Sequence, residues 1–247
     1  MARKTALQTV STQSNITQIN NKLKLKLDDL DVIEPLTETQ ARFFHAYPDS
    51  QLLLLHGVAG TGKTYIALYK ALEEVLEKNN TFNKVVIVRS AVPSREIGHL
   101  PGDEKEKTEV YQMPYEEICA DLFNRKDAWK LLNEQKVVQF MITSFVRGIT
   151  LEDSIIIVDE CQNMNDMELN SIITRVGSRS KIIFCGDFRQ TDLYKKTDMS
   201  GLKKFMVIAD MMPSVKTLEF EVDDIVRSQI VKEYILARMN YEDQYGV

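Results

Sequence analysis

The sequence predicts an α/β domain: a mostly parallel sheet with helices on both faces. Three observations carry this. Short apolar runs recur at Leu52 to Leu55, Val85 to Val88, Ile155 to Val158 and Lys181 to Cys185, and Lys136 to Ile142 and Val215 to Phe220 read as two further strands. Longer stretches lie between them with apolar residues at helical spacing, such as Ile66, Ala67, Leu72, Val75 and Leu76. Strands alternating with helices pair in parallel through crossovers, and strands buried on both faces read as continuous apolar runs. The third observation is that the first strand runs into Gly57-Val58-Ala59-Gly60-Thr61-Gly62-Lys63-Thr64, a phosphate-loop pattern followed by a helix.

Composition bounds the rest. With 247 residues, 44% hydrophobic and 27% charged, the chain has room for one α/β lobe and is short for two. We expect a polar, mobile arm over residues 1–21 and a single nucleotide-binding domain over residues 22–247. No apolar run approaches the roughly 20 residues that span a bilayer, and the N-terminus lacks the apolar core of a secretion signal. The expectation is a cytoplasmic protein with no membrane partner. Cys119, Cys161 and Cys185 show no close pairing, and His45, His56 and His99 are scattered, so neither a disulfide framework nor a zinc site is indicated. A net charge of −5 supplies no global attraction to nucleic acid and leaves only a local basic groove to do so.

Taken in order, Lys22 to Leu27 alternates lysine and leucine, which predicts an edge strand with Leu23, Leu25 and Leu27 on one face. Thr37 is placed to cap a helix with Gln40 three residues on as a capping box; the competing reading gives the Gln40 amide to the edge of an adenine base. In the loop from Gly57 to Thr64, glycines let backbone N–H groups turn toward phosphate oxygens at a helix N-terminus. Lys63 would reach the β- and γ-phosphates of a triphosphate, and the Thr64 hydroxyl would ligate magnesium. The helix then runs to Lys78.

Val85 to Val88 ends in Arg89-Ser90, and residues 91–112 read as an excursion from the sheet, followed by a helix over residues 114–133. Ile155-Ile156-Ile157-Val158-Asp159-Glu160 places two carboxylates at the carboxyl end of a strand, where ligands bind in open α/β sheets. Asp159 is the candidate for magnesium through its water shell, and Glu160 for taking a proton from attacking water. After Lys181 to Cys185 comes Gly186-Asp187-Phe188-Arg189-Gln190, in which Gln190 could orient that water or sense the γ-phosphate. A helix over residues 201–211, a strand from Val215 and a helix over residues 223–240 complete the chain. On the last helix Ile225, Val226, Ile230, Ile235 and Met239 are expected to face the core. Arg227 would lie near its start, where the helix dipole disfavours a cation, which marks it for a function.

Several of these blocks are more specific than a phosphate loop. Arg89-Ser90-Ala91-Val92, Gly98-His99-Leu100-Pro101-Gly102-Asp103, Arg147-Gly148-Ile149-Thr150-Leu151, Asp159-Glu160-Cys161-Gln162-Asn163, Gly186 to Leu193 and Val226-Arg227-Ser228 together resemble the PhoH family of phosphate-starvation ATPases. That family's nucleotide-binding lobe is similar to the first lobe of superfamily 1 helicases. The resemblance implies a RecA-like P-loop NTPase with ATP on Gly57 to Thr64, magnesium at Thr64 and Asp159, and the catalytic carboxylate at Glu160. It further implies γ-phosphate sensing at Gln190 and makes Arg227 the arginine of the final motif. Two positions depart from the pattern: Cys161 replaces a usual alanine, and Ser228 a common histidine. The resemblance also suggests a homo-oligomeric ring of six copies, with Arg227 reaching a neighbour's site, and single-stranded RNA or DNA as partner.

Three functions are compatible with these residues. The first is a magnesium-dependent ATPase coupled to RNA or DNA. The second is a module whose ATP-driven ordering recruits a partner with little turnover. The third, a small-molecule kinase, ranks last because Asp159, Glu160 and Gln190 favour water over a substrate hydroxyl as nucleophile.

Overall fold

The structure, a computed structural model, describes residues 24–90, 104–187 and 204–245. The expected polar arm and Gln190 lie outside these residues. Helix α1 (Glu38–Ala46) leads into β1 (Leu52–Gly57), α2 (Lys63–Leu76) and β2 (Lys84–Arg89). Then come α3 (Glu104–Leu122), α4 (Ala128–Glu134), β3 (Val138–Ile142), the single turn α5 (Thr143–Val146), β4 (Ser154–Asp159) and α6 (Asp166–Ile173). The chain continues through β5 (Lys181–Gly186), a helix α7 over residues 204–210, β6 (Val215–Phe220) and α8 (Gln229–Tyr245).

All six strands pair in parallel in the order β3-β2-β4-β5-β1-β6. The phosphate-loop strand β1 is therefore separated from the acidic strand β4 by β5. Their carboxyl ends flank a cleft whose floor is the end of β5. Period-two alternation sends side chains to two cores. Leu53, Leu55, Val85, Ile87, Ile155 and Ile157 pack under α2, α3 and α4, while Leu54, Val86, Val88, Ile156, Val158 and Phe184 pack under α6 and α7. The central strands β4 and β5 are buried along their whole length, whereas the edge strand β6 alternates between buried and open positions.

Four expectations need correction. Residues 24–27 form no strand: Leu25 is buried and Lys24 exposed as the alternation requires, but the sheet edges are β3 and β6, and Leu27–Asp29 is a 3-10 turn. The expected helix over residues 114–133 is two helices, α3 and α4. The first begins at Glu104 and carries Pro114 internally, so the proline did not mark a helix start. The last helix starts at Gln229 after a 3-10 turn at Val222–Asp224, which leaves Arg227 in the connecting loop rather than on the helix. Ile230 is 75% exposed, because it lies on the first turn of α8, beyond the reach of the core that holds Ile225.

Candidate nucleotide site

The loop from Gly57 to Thr64 leaves β1 and enters α2 as its residues require. Gly57, Gly60 and Gly62 all have positive φ, the left-handed region that side chains disfavour. The loop is braced from one side: Val58 N–H donates to Phe220 O (2.9 Å) and Val226 N–H to Gly60 O (3.0 Å). The end of β6 and the segment before α8 thus set its shape.

Gln40 joins the loop from α1. Its Nε2 donates to Thr61 O (3.0 Å) and its Oε1 accepts from Leu36 N–H (2.8 Å), while its own N–H donates to the Thr37 hydroxyl (3.3 Å). Thr37 therefore caps α1 as expected. The Gln40 amide, however, binds Leu36 rather than closing a capping box, and it supports the phosphate loop directly.

Lys63 is buried and turned into the loop. Its ammonium donates to Val58 O (2.7 Å), Gly57 O (3.1 Å) and the Thr61 hydroxyl (3.2 Å). Burial lowers its pKa, and Asp187, Asp159 and Glu160 act in the opposite direction. A triphosphate would offer the same ammonium stronger, charged acceptors.

Across the cleft, Thr64 Oγ1 donates to Asp159 Oδ1 at 2.7 Å. One hydroxyl and one carboxylate in contact form a hard, oxygen-only donor set. It is sparse, as suits magnesium, which keeps waters and takes further oxygens from phosphates. Among the described residues no cluster of three or more His, Cys, Asp or Glu could hold a metal by itself.

Glu160 follows with φ 52 and ψ 40, a left-handed backbone unusual for glutamate and of the kind concentrated at active sites. Burial first, and then neighbouring Asp159, raise its carboxyl pKa, while Arg89 and the Gln162 amide pull it down. Gln162 Nε2 donates to Glu160 Oε2 (2.5 Å), and Gln162 Oε1 accepts from Asp187 N–H (3.1 Å). One side chain thereby links the acidic end of β4 to the end of β5.

These groups line one cavity of about 450 Å³ that brings together the loop from Ala59 to Thr64, Asp159, Glu160, Asp187 and Arg227. The far wall is one face of α3, with Pro114, Glu117, Ile118 and Asp121 at helical spacing. A second cavity, about 370 Å³, opens beyond Gly57 and Val58 and is lined by His56, Asp187, Glu219, Glu221 and Asp223. The second cavity sets four carboxylates against phosphate with no lysine or arginine among the described residues of its lining, whereas the first offsets its carboxylates with Lys63, Arg227 and the N-terminus of α2. The first cavity is therefore the candidate site.

Every described candidate except Gln40 lines that cavity or shapes its loop, and Gln40 stands directly behind the loop. Sequence reasoning missed Tyr115, whose hydroxyl donates to Asp159 Oδ2 at 2.7 Å. Forty-four positions separate the two, so no local pattern could signal it. It also missed the contribution of Arg89, whose pKa is raised: burial disfavours the cation, but Tyr115, Glu160 and Asp159 outweigh it. Its guanidinium lies 5.6 Å from the Tyr111 ring centre. The motif block had singled out Gln162 without a role.

Sheet order, loop and acidic strand end define a P-loop NTPase. The chain belongs to the PhoH-like protein family, whose model matches residues 32–239. It is 33% identical over 206 residues to the PhoH-like protein of Bacillus subtilis, covering 81% of this chain and 62% of that protein. Against the PhoH-like protein of Mycobacterium leprae it is 32% identical over 212 residues, covering 85% and 60%. The chain thus spans about 60% of the length of these relatives. Among solved structures it is similar to the large terminase of a thermophilic bacteriophage in complex with ADP. The TM-score is 0.47 with 14% identity, over 85% of this chain and 50% of that one.

Proposed function

We propose that this chain binds ATP with magnesium and hydrolyses it. The observation that carries the reading is the Thr64–Asp159 contact of 2.7 Å, which closes the phosphate loop onto the acidic strand end with Glu160 as the next residue. Backbone N–H groups of the loop and the N-terminus of α2 would hold the β- and γ-phosphates, with Lys63 as the point charge between them. Thr64 and Asp159 would hold magnesium, which supplies charge neutralisation across the phosphates. Glu160, kept in place by Gln162, would accept the proton of the attacking water. Gln190 is proposed as the γ-phosphate sensor on its place in the sequence after β5 and on the family resemblance.

The coupling to single-stranded RNA or DNA remains part of the proposal and rests on family resemblance. Arg89 and Arg147 lie near strand ends where a single strand could pass; Arg89 faces the acidic centre and Arg147 is exposed. Phosphate release by the purified protein, with and without magnesium and with and without single strands at several salt concentrations, tests the reading. Magnesium-dependent release is the expected result. Tight ATP binding without release would favour the recruitment module, and no ATP binding at all would overturn both.

A further inference from the structure

We propose that Tyr115 is a positioning residue for Asp159, fixing the carboxylate plane through one oxygen while Thr64 fixes it through the other. The inference rests on the magnesium-ATP reading of the site. A terminal carboxylate torsion is broad and roughly two-fold, so an aspartate at a strand end does not hold one plane unaided. Here two hydroxyls occupy different oxygens at the same 2.7 Å. Each oxygen keeps a second lone pair, which leaves Asp159 able to accept from the waters of a bound metal in one fixed direction.

The Tyr115 hydroxyl is built into that position. The residue is 1% exposed, and its ring packs against Phe140 with centroids 5.5 Å apart. Its helix is tied a second time, in the reverse sense: Tyr65 on α2 donates through its hydroxyl to Asp121 on α3 at 2.7 Å. Helix α3 is thus fastened both to the carboxylate at the end of β4 and to the helix that carries Thr64. A shift of α3 would be felt at Asp159 through a single hydrogen bond.

Tyr115→Phe keeps the ring and removes the hydroxyl, and with it the donation to Asp159 and the contact with Arg89. The readout is the magnesium concentration at which methylanthraniloyl-ADP binding tightens, followed by fluorescence anisotropy, with affinity in EDTA as reference. Outer partners of metal-binding groups change metal affinity by roughly 10–100-fold, so the midpoint should rise about tenfold while the EDTA value stays unchanged. Tyr65→Phe, which loosens α3 without touching Asp159, should leave the midpoint where it was. An unchanged midpoint in Tyr115→Phe overturns the proposal alone, as does an equal rise in Tyr65→Phe, which would mean general loosening of the helix. No magnesium effect in the unsubstituted protein overturns the metal reading and this proposal with it. If Tyr115→Phe does not fold, amide exchange in the unsubstituted protein decides. Magnesium added to the ADP complex should slow exchange over residues 115–122, and no change would overturn the proposal.

Discussion

Arg227 lies across Gly60 of its own chain: a β-carbon built on Gly60 would stand 2.9 Å from the Arg227 Cγ. The neighbouring Val226–Gly60 hydrogen bond holds the segment there. The arginine thus lies beside the phosphate loop of its own chain, and action within one chain is the outcome we predict, where the resemblance suggests a neighbour's site. Arg227→Ala should lower turnover by roughly 10³-fold, the scale of an arginine that stabilises phosphoryl transfer. Mixing it with inactive Glu160→Gln chains should restore nothing. Recovered activity would mean that the arginine works between copies.

Gly57 and Gly60 should respond differently to alanine. At Gly57, φ is +120 and the added carbon would lie 2.0 Å from Phe220 O, a backbone atom that also accepts the Val58 N–H. Neither atom can move without parting β1 from β6. Gly57→Ala should cost more than about 3 kcal/mol in denaturant unfolding, combining overpacking with strain. At Gly60 the nearest atom belongs to a flexible arginine side chain, so Gly60→Ala should fold and lose turnover through displacement of Arg227. Equal stability losses at the two positions would contradict this.

Lys63 and Glu160 separate binding from chemistry. Removing a buried charge-assisted donor costs about 1.5–3 kcal/mol, so Lys63→Ala should weaken ATP by roughly 10–100-fold in calorimetry. Glu160→Gln preserves shape and the neighbouring amide but cannot take a proton. Binding should persist while turnover falls by roughly 10²–10⁴-fold. Parent-level hydrolysis in Glu160→Gln would remove it as the base.

The fold was legible because its four inner strands, β2, β4, β5 and β1, are buried on both faces, which writes them as uninterrupted apolar runs. The limits of the expected strands fall within two residues of the observed ends, the one from Lys136 starting two residues before β3. Helix limits were less legible. Pro114 looked like a beginning but sits within α3, where tertiary packing overrides local preference. Lys22 to Leu27 carried strand periodicity, but in the described part of it Leu25 and Leu27 pack on the core beside the helices and pair with neither sheet edge. In the site, glycines, Lys63, Thr64, Asp159 and Glu160 are consecutive or adjacent and therefore readable. Tyr115 and the cis placement of Arg227 depend on how α3 and the segment before α8 fold back, which no local spacing encodes.

Asp224 offers a pH test of how that returning segment is held. Its carboxylate is buried and accepts from Glu221 N–H at 2.9 Å. Burial pushes its pKa up, but hydrogen bonds from Thr37, the Glu221 backbone and Thr39 outweigh it, and the net shift is downward from 3.8. The same Thr37 accepts the Gln40 N–H, so Asp224 joins the loop bearing Arg227 to the helix bearing Gln40. A depressed carboxyl pKa means that the folded state binds fewer protons than the unfolded one near this pH. Its stabilisation is complete above 3.8 and is lost as pH falls through the lower folded value. Asp224→Asn should therefore cost about 1–3 kcal/mol at pH 7, the scale of a charged hydrogen-bond acceptor. The gap between parent and variant in urea unfolding should then narrow as pH drops below about 4. A gap constant with pH would assign the loss to altered packing, and no gap at pH 7 would mean that the ionised carboxylate does not hold the segment.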